Sequence, residues 1–394
     1  MIERPVPVMR LAAALALGAA VSLGLARFSY ALLLPAMRAD LGWNYTLAGT
    51  LNTLNAAGYL LGALAMPRVM ARWGAAAAGV GGCVASALLL AGHGLTLDNG
   101  VLMALRLATG ASSAATFVAG GVLAARLAGQ PGARPGLVLG VYYGGTGLGI
   151  VACALGLPPL LARAVPHAWQ GGWWLLAALA LLVTPWMAQG ARRVPAAALA
   201  ASGPAAGFQA RPLPFGLAGY FMFGVGYIGY MTFIVTLLRE QGLSSATITA
   251  FYALLGVGVV ASSWIWAGLL QRARGGGALA VLNGLLAVAA ALPVISPHPV
   301  LAFVSGGLFG AVFLSVVAST TALVRHNLPP AAWAKGISAF TIVFAVGQIV
   351  GPVAVGWLSD GGGGLQLGLG VSAAALALGA LLASRQRPCL PDPS

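Results

Sequence analysis

The sequence predicts an all-α membrane protein: twelve transmembrane helices in two pseudo-symmetric six-helix bundles. Three observations predict it. The 394 residues are 60% hydrophobic and only 7% charged. Twelve apolar stretches follow one another almost end to end, most of them as long as the roughly 20 helical residues that cross a hydrocarbon core of about 30 Å. Fifteen of the twenty basic residues fall in alternate loops between those stretches.

The helical reading follows from the solvent. In lipid every backbone group is paired internally, so a span is a helix or part of a closed barrel. Barrel strands alternate polar and apolar residues over about 10 positions, whereas these runs are longer and do not alternate. The predicted spans are 9–37, 46–67, 75–93, 99–122, 136–162, 170–188, 213–239, 244–270, 277–296, 299–322, 336–358 and 364–384. The first opens at Arg10, after Arg4, and continues past Arg27 through Leu32-Leu33-Leu34. That is longer than the apolar core of a secretory signal, so it reads as an uncleaved helix.

Orientation follows from the loops. Arg68 and Arg72 separate spans two and three, and Arg126 with Arg134 follows the fourth. Arg192, Arg193 and Arg211 follow the sixth, and Arg272 with Arg274 the eighth. Arg325 and Lys335 precede the eleventh, and Arg385 with Arg387 closes the helical region. The opposite loops hold Arg38, Arg163 and Arg239. The basic side faces the cytoplasm, so both termini are expected there, in a bacterial inner (plasma) membrane. A formal charge of +14 would suggest nucleic acid in a soluble protein. Spread one or two per loop, these residues are topological, and no nucleic-acid partner is expected. Cys83, Cys153 and Cys389 are odd in number and far apart, which predicts neither disulfide framework nor metal site. No cofactor is expected.

Residues 189–212 are rich in Ala, Pro and Gly and carry three Arg, the composition of a flexible linker. The expected organisation is an N-terminal six-helix bundle (1–190), a cytoplasmic linker (191–212) and a C-terminal six-helix bundle (213–394). The halves repeat at a shift of 200 residues. Gly24, Tyr30, Asp40, Gly42 and Gly58 align with Gly224, Tyr230, Glu240, Gly242 and Gly258. Arg72, Gly110, Gly136, Gly147 and Gly156 meet Arg272, Gly310, Gly336, Gly347 and Gly356. Internal duplication around a central site is a recurrent transporter design.

Leu105-Arg106-Leu107-Ala108-Thr109-Gly110 in the fourth span resembles the Arg-x-x-x-Gly signature of the major facilitator superfamily, and the likeness covers nearly the whole chain. GALAMPRVMARWG (62–74) stands where that family has its signature between helices two and three, but without the usual Asp. In the second half, Gly268-Leu269-Leu270-Gln271-Arg272 has Gln in its place. The opening ARFSYALLLPAMRADLGW is similar to a bacterial subgroup of the family. The resemblance implies the fold, a small-molecule substrate, alternating access in the lipid bilayer and a proton as coupling ion. A monomer is expected.

Only Arg27 and Arg106 lie deep by these span limits, and every acidic residue falls at a terminus or near a helix end. A cation in hydrocarbon costs a few kcal/mol and usually faces the bundle interior or a wet cavity. At 1.5 Å per residue, Arg27 sits about 15 Å and Arg106 about 12 Å from the outer ends of their helices, near one level. One reading is an anion clamp, because guanidinium matches a carboxylate with a planar fork. The other is that Arg106 bonds carbonyls of neighbouring helices or assists proton coupling.

Candidate pocket residues are Tyr30, three residues beyond Arg27 and hence on nearly the same face, Asn52 and Asn55, Tyr142 and Tyr143 in GVYYGGTGLG, Tyr220, Tyr227 and Tyr230, and Gln348. Each could instead bridge helices. The substrate-binding set is Arg27, Tyr30, Asn55, Arg106, Tyr142, Tyr143, Tyr227, Tyr230 and Gln348. The conformational set is Gly110, Gly147, Gly347, Gly351, Pro352, Arg72 and Arg272, where small residues allow close packing and Pro352 invites a kink. Trp169, Trp173 and Trp174 are expected in an interfacial aromatic belt. With no GK[ST] and no cluster of nucleophile, base and metal ligands, catalysis has no equipment and the chain is not expected to be an enzyme. The expected function is a secondary active transporter of a small organic anion, preferably a carboxylate. Alternatives are efflux of multiple drugs or toxic compounds, and a sensor or assembly subunit that moves no solute.

Overall fold

The computed structural model describes residues 8–162, 165–195, 213–329 and 332–389. Among them every regular element is a helix, and eleven helices are long and apolar enough to cross a membrane. They are α1 (Val8–Leu41), α2 (Tyr45–His93), α3 (Asn99–Ala128), α4 (Pro135–Leu161), α5 (Ala168–Arg193), α6 (Pro214–Glu240) and α7 (Ser245–Ile265). After the short α8 (Ala267–Arg272) come α9 (Gly277–Ile295), α10 (Pro299–Asn327), α11 (Trp333–Ser359) and α12 (Gly364–Ser384). Of the expected linker, residues 196–212 lie outside the described residues, as do Arg4, Arg163 and Arg211.

Local chemistry sets the ends. The side chains of Asn44, Asp98 and Ser244 accept from Leu47, Val101 and Thr247 N–H at 2.8, 2.8 and 3.1 Å, so α2, α3 and α7 begin with capped donors. Pro135, Pro214 and Pro299 open α4, α6 and α10, where the missing N–H costs nothing. Gly42 and Gly242, a pair in the 200-residue repeat, stop α1 and α6 at φ 65° and 82°, a left-handed backbone that glycine adopts freely.

α2 merges the second and third predicted spans. Its 49 residues would extend about 74 Å if straight, more than twice a hydrocarbon core. The helix breaks at Gly74, whose φ of 80° and ψ of 158° lie outside helical space. The eighth predicted span also ends early: the helix stops at Ile265, and α8 starts beyond Trp266.

α1 is not uniform. Val8–Ala19 and Tyr30–Leu41 are α-helical, but Ala20–Phe28 is a π-helix. Carbonyls of this stretch are engaged from outside the helix. Ser113 Oγ donates to Ser22 O at 2.6 Å, Cys153 Sγ to Gly24 O at 3.6 Å, Arg106 Nη1 to Ala26 O at 3.1 Å and Tyr252 Oη to Phe28 O at 2.6 Å. Side-chain donors from α3, α4 and α7 thus supplement the wider ladder, in a geometry often found at functional sites.

The repeat is visible as repeated contacts. A Cβ on Gly110 would strike the carbonyl of Asn55, and one on Gly310 that of Leu255, each exactly one repeat apart in sequence number. Gly58 against Leu107 and Gly258 against Gly307 form a second such pair. One expected pair fails. Gly347 packs on Phe221 and Gly224 within the second half, whereas Gly147 packs across the halves on Gly256 and Val260. The residue that meets Gly24 is Gly149, so the contact register slips by two in α4 relative to α11. Gly351 lies on Val225 and the Pro352 carbonyl on Gly49, and α11 continues through Pro352. Arg72 is exposed with its guanidinium 5.8 Å from the Trp73 ring, and Arg272 is exposed at the end of α8. The aromatic belt is only partly as expected. Trp174 is exposed, but Trp169 and Trp173 are buried, the first donating to Asp40 at 2.6 Å and the second stacked 4.5 Å from His93.

Candidate substrate site between the two halves

The two deep arginines have different surroundings. Arg106 is fully buried. It donates from Nη1 to Ala26 O and from Nη2 to Asn52 Oδ1 at 3.0 Å, and its guanidinium carbon lies 4.6 Å from the centre of the Tyr30 ring. Asn55 Nδ2 donates to the Arg106 carbonyl at 3.2 Å. Asn52 Nδ2 reaches on to Thr232 Oγ1 in the second half at 2.6 Å. Arg106 therefore ties α3 to α1 and α2 through bonds the protein itself supplies.

Arg27 has fewer. It is 4% exposed, and Nη2 donates to Gln348 Oε1 on α11. The Tyr227 hydroxyl donates to the same oxygen at 3.2 Å. The guanidinium carbon is 5.5 Å from the centre of the Tyr59 ring, and the buried Nε has no hydrogen-bond partner. Glu240 pairs with Arg38, and Asp40 is hydrogen-bonded to His167, whereas the acceptors of both arginines, Arg27 and Arg106, are neutral. Behind Tyr227, the rings of Tyr220, Phe223, Tyr227 and Phe344 form a near-parallel stack, with centroids 4.8–5.6 Å apart and planes within 20°.

The structure brings together Arg27, Tyr227 and Gln348, with Tyr143 nearby. Tyr143 is 37% exposed, its ring 5.1 Å from Tyr142 and 5.8 Å from Phe117. Tyr30 and Asn55 join Arg106 instead. The expected shared face of Arg27 and Tyr30 fails because a π-helical turn takes more residues than an α-helical one, so a three-residue step no longer returns to that face. The Tyr30 hydroxyl donates to Ala48 O at 2.8 Å. Tyr142 donates to Phe117 O at 2.6 Å, and Tyr230 bonds Ser305 at 2.7 Å while stacking 4.0 Å from Phe309. Both tie helices within one half of the chain. Tyr59 is absent from the expected set. It lies seven residues beyond Asn52, two turns along the same face, and that spacing was the signal for it.

Hydrogen bonds joining the two halves run from the level of Arg27 to the Arg38 end of the molecule. Thr53 Oγ1 donates to Ile349 O at 2.7 Å. Farther out, Glu240 accepts from Arg38 at 3.5 Å and from the Tyr45 hydroxyl. Asp360, just past α11, accepts from Tyr45 N–H at 2.7 Å, Thr46 N–H at 2.9 Å and Thr46 Oγ1 at 2.5 Å. It thus covers the exposed donors at the start of α2, where a negative charge also meets the positive end of the helix dipole. Partial desolvation pushes the Asp360 carboxyl up. The bonds from Thr46 and Tyr45 and the nearby Arg38 charge outweigh it and hold the group below the ordinary carboxylate range.

Comparison with known proteins accords with this architecture. A family model described as "Uncharacterised MFS-type transporter YbfB" matches residues 19–384. No curated protein matches the sequence. Among solved structures, the nucleoside transporter NupG superposes with a TM-score of 0.70 at 13% identity, over 96% of each chain. A bacterial homolog of the human lysosomal transporter Spinster, inward-facing and unoccupied, gives 0.69 at 15%, again over 96% of each. The human organic anion transporter MFSD10 (TETRAN) gives 0.65 at 16%, over 96% of this chain and 100% of that one. At such identities the likeness shows the fold alone. With the family model spanning nearly its whole length, the chain belongs to the YbfB family of MFS-type transporters and is a multi-pass membrane protein.

Proposed function

We propose that this protein is a secondary active transporter that moves a small organic anion, a carboxylate, across the bacterial inner membrane by alternating access. In this reading the break at Gly74 divides α2 into two crossings, giving twelve. Two six-helix bundles, 1–190 and 213–394, rock about the Arg27 level as a monomer, with both termini cytoplasmic. The Arg38 end is the closed outer gate. The proposal keeps a proton as the coupling ion, taken up at the carboxylates of that gate or carried by the acid itself.

One observation carries the reading: Arg27 is buried between the halves with a single neutral acceptor and an unpartnered Nε. An isolated buried charge is costly unless paired. A substrate carboxylate would meet Nε and Nη2 side by side and displace Gln348, since charge-assisted bonds are roughly twice as strong as neutral ones. Arg106 has its own acceptors and serves to hold the π-helical stretch of α1.

The test is thermal unfolding of the purified protein with monocarboxylates and their neutral amide counterparts. A ligand at 100 times its Kd stabilises by about 2.7 kcal/mol. Carboxylates should raise Tm in the native protein and fail to do so in Arg27→Gln. Equal shifts in both proteins, or shifts with the amides alone, would refute the anion reading and favour efflux of neutral compounds. Binding without flux in proteoliposomes would favour a sensor.

A further inference from the structure

The protein has nine tyrosines, and most of their hydroxyls are engaged. Tyr30, Tyr142 and Tyr252 donate to carbonyls, Tyr45 to Glu240, Tyr227 to Gln348, and Tyr230 bonds Ser305. The Tyr220 hydroxyl lies against Thr320. Tyr59 and Tyr143 differ. Among the described residues neither hydroxyl has a hydrogen-bond partner, and both residues keep accessible surface, half-buried for Tyr59 and 37% exposed for Tyr143.

Both residues lie on helix faces that meet the second half of the chain. Tyr143 stands one helical turn before Gly147, which packs on Gly256 and Val260 of the second half, so the two share a face of α4. Tyr59 continues the α2 face on which Asn52 bonds Thr232. The Tyr59 hydroxyl is within electrostatic reach of Arg27, Tyr227 and Tyr143. Tyr59 is thus the phenol beside Arg27, its ring centre 5.5 Å from the guanidinium carbon, and Tyr143 is the next phenol along.

We propose that Tyr59 and Tyr143 are specificity-determining residues that donate to a second oxygen of the cargo, which makes the substrate class a carboxylate bearing a hydroxyl or carbonyl group on its body. This rests on the anion reading above, with Arg27 taking the carboxylate. A site that presents donors to a substrate oxygen discriminates against an analogue lacking it, because the donors then lose water without gaining an acceptor.

The experiment uses the purified full chain and three matched pairs of acids: benzoate and 4-hydroxybenzoate, hexanoate and gluconate, propionate and lactate. Apparent Kd comes from thermal-shift titration. In at least one pair the hydroxylated acid should bind roughly tenfold more tightly. Tyr59→Phe and Tyr143→Phe, which remove one oxygen each and keep the ring, should each weaken that acid by roughly three- to tenfold and leave its plain partner unchanged. Equal affinities within every pair overturn the proposal, as does a Phe variant that weakens both partners alike. If plain and hydroxylated acids bind equally and Arg27→Gln abolishes both, this inference falls while the anion reading stands. Shifts that survive Arg27→Gln overturn the anion reading, and no shift with any of the six acids overturns both.

Discussion

Replacing Asp360 by Asn should loosen the Arg38 end. The carboxylate accepts three hydrogen bonds from the first turn of α2. An exposed hydrogen bond is worth roughly 0.5–1.5 kcal/mol net, and a charge at a helix N-terminus about 0.3–1 kcal/mol. Asn keeps one acceptor oxygen but turns an amide N–H₂ toward the remaining donors and carries no charge. Losing one to two bonds and the charge amounts to about 1–4 kcal/mol, at least a roughly fivefold rise in the unlatched population. The assay is the distance distribution between spin labels at Leu97→Cys and Val300→Cys in a cysteine-free background. Both sites are exposed and lie outside the latch. At pH 7.5 the Asn variant should gain a longer-distance component, and the native protein should gain it as the pH is lowered. The sign follows from the direction of the shift. Asp360 titrates below its ordinary range in the latched state, so its contribution is complete above the unlatched pKa and is lost as pH falls through the latched one. Identical distributions for the two proteins at pH 7.5, or a longer component that grows with rising pH, would refute the argument.

Two further outcomes concern glycines. Gly110→Ala places a methyl group on the Asn55 carbonyl and 2.8 Å from the Tyr59 nitrogen. Overpacking of this kind costs about 1–3 kcal/mol and should lower Tm by several degrees, whereas Gly136→Ala, with open space around it, should leave Tm unchanged. Gly74→Ala forces a side chain into φ 80°, ψ 158°, a strain of about 1–3 kcal/mol. Reduced thermal stability, in the absence of any new clash around that Cβ, is the expected measurement.

Much of the architecture is written as a one-dimensional pattern. Apolar length, basic loop residues and the 200-residue repeat act through transfer to lipid and through close backbone approach, both of which depend on local sequence. Gly42 and Gly242 stop their helices, and Gly58 with Gly110 lets α2 and α3 meet, as Gly258 and Gly310 do for α7 and α10. That Arg27 and Arg106 stand in mid-helix, far from either end, was equally legible, and both are buried.

What each arginine touches was not legible. The π-helical stretch of α1 depends on donors from α3, α4 and α7, and it rotates Tyr30 away from Arg27 toward Arg106. Gln348 reaches Arg27 across 321 positions of sequence, a pairing that no spacing rule encodes. The latch at Asp360 likewise joins the end of α11 to the start of α2. Sequence determined which groups enter the membrane because that cost is set residue by residue. Tertiary structure decided which of them remain unpaired, because hydrogen-bond partners are assigned only when the halves meet.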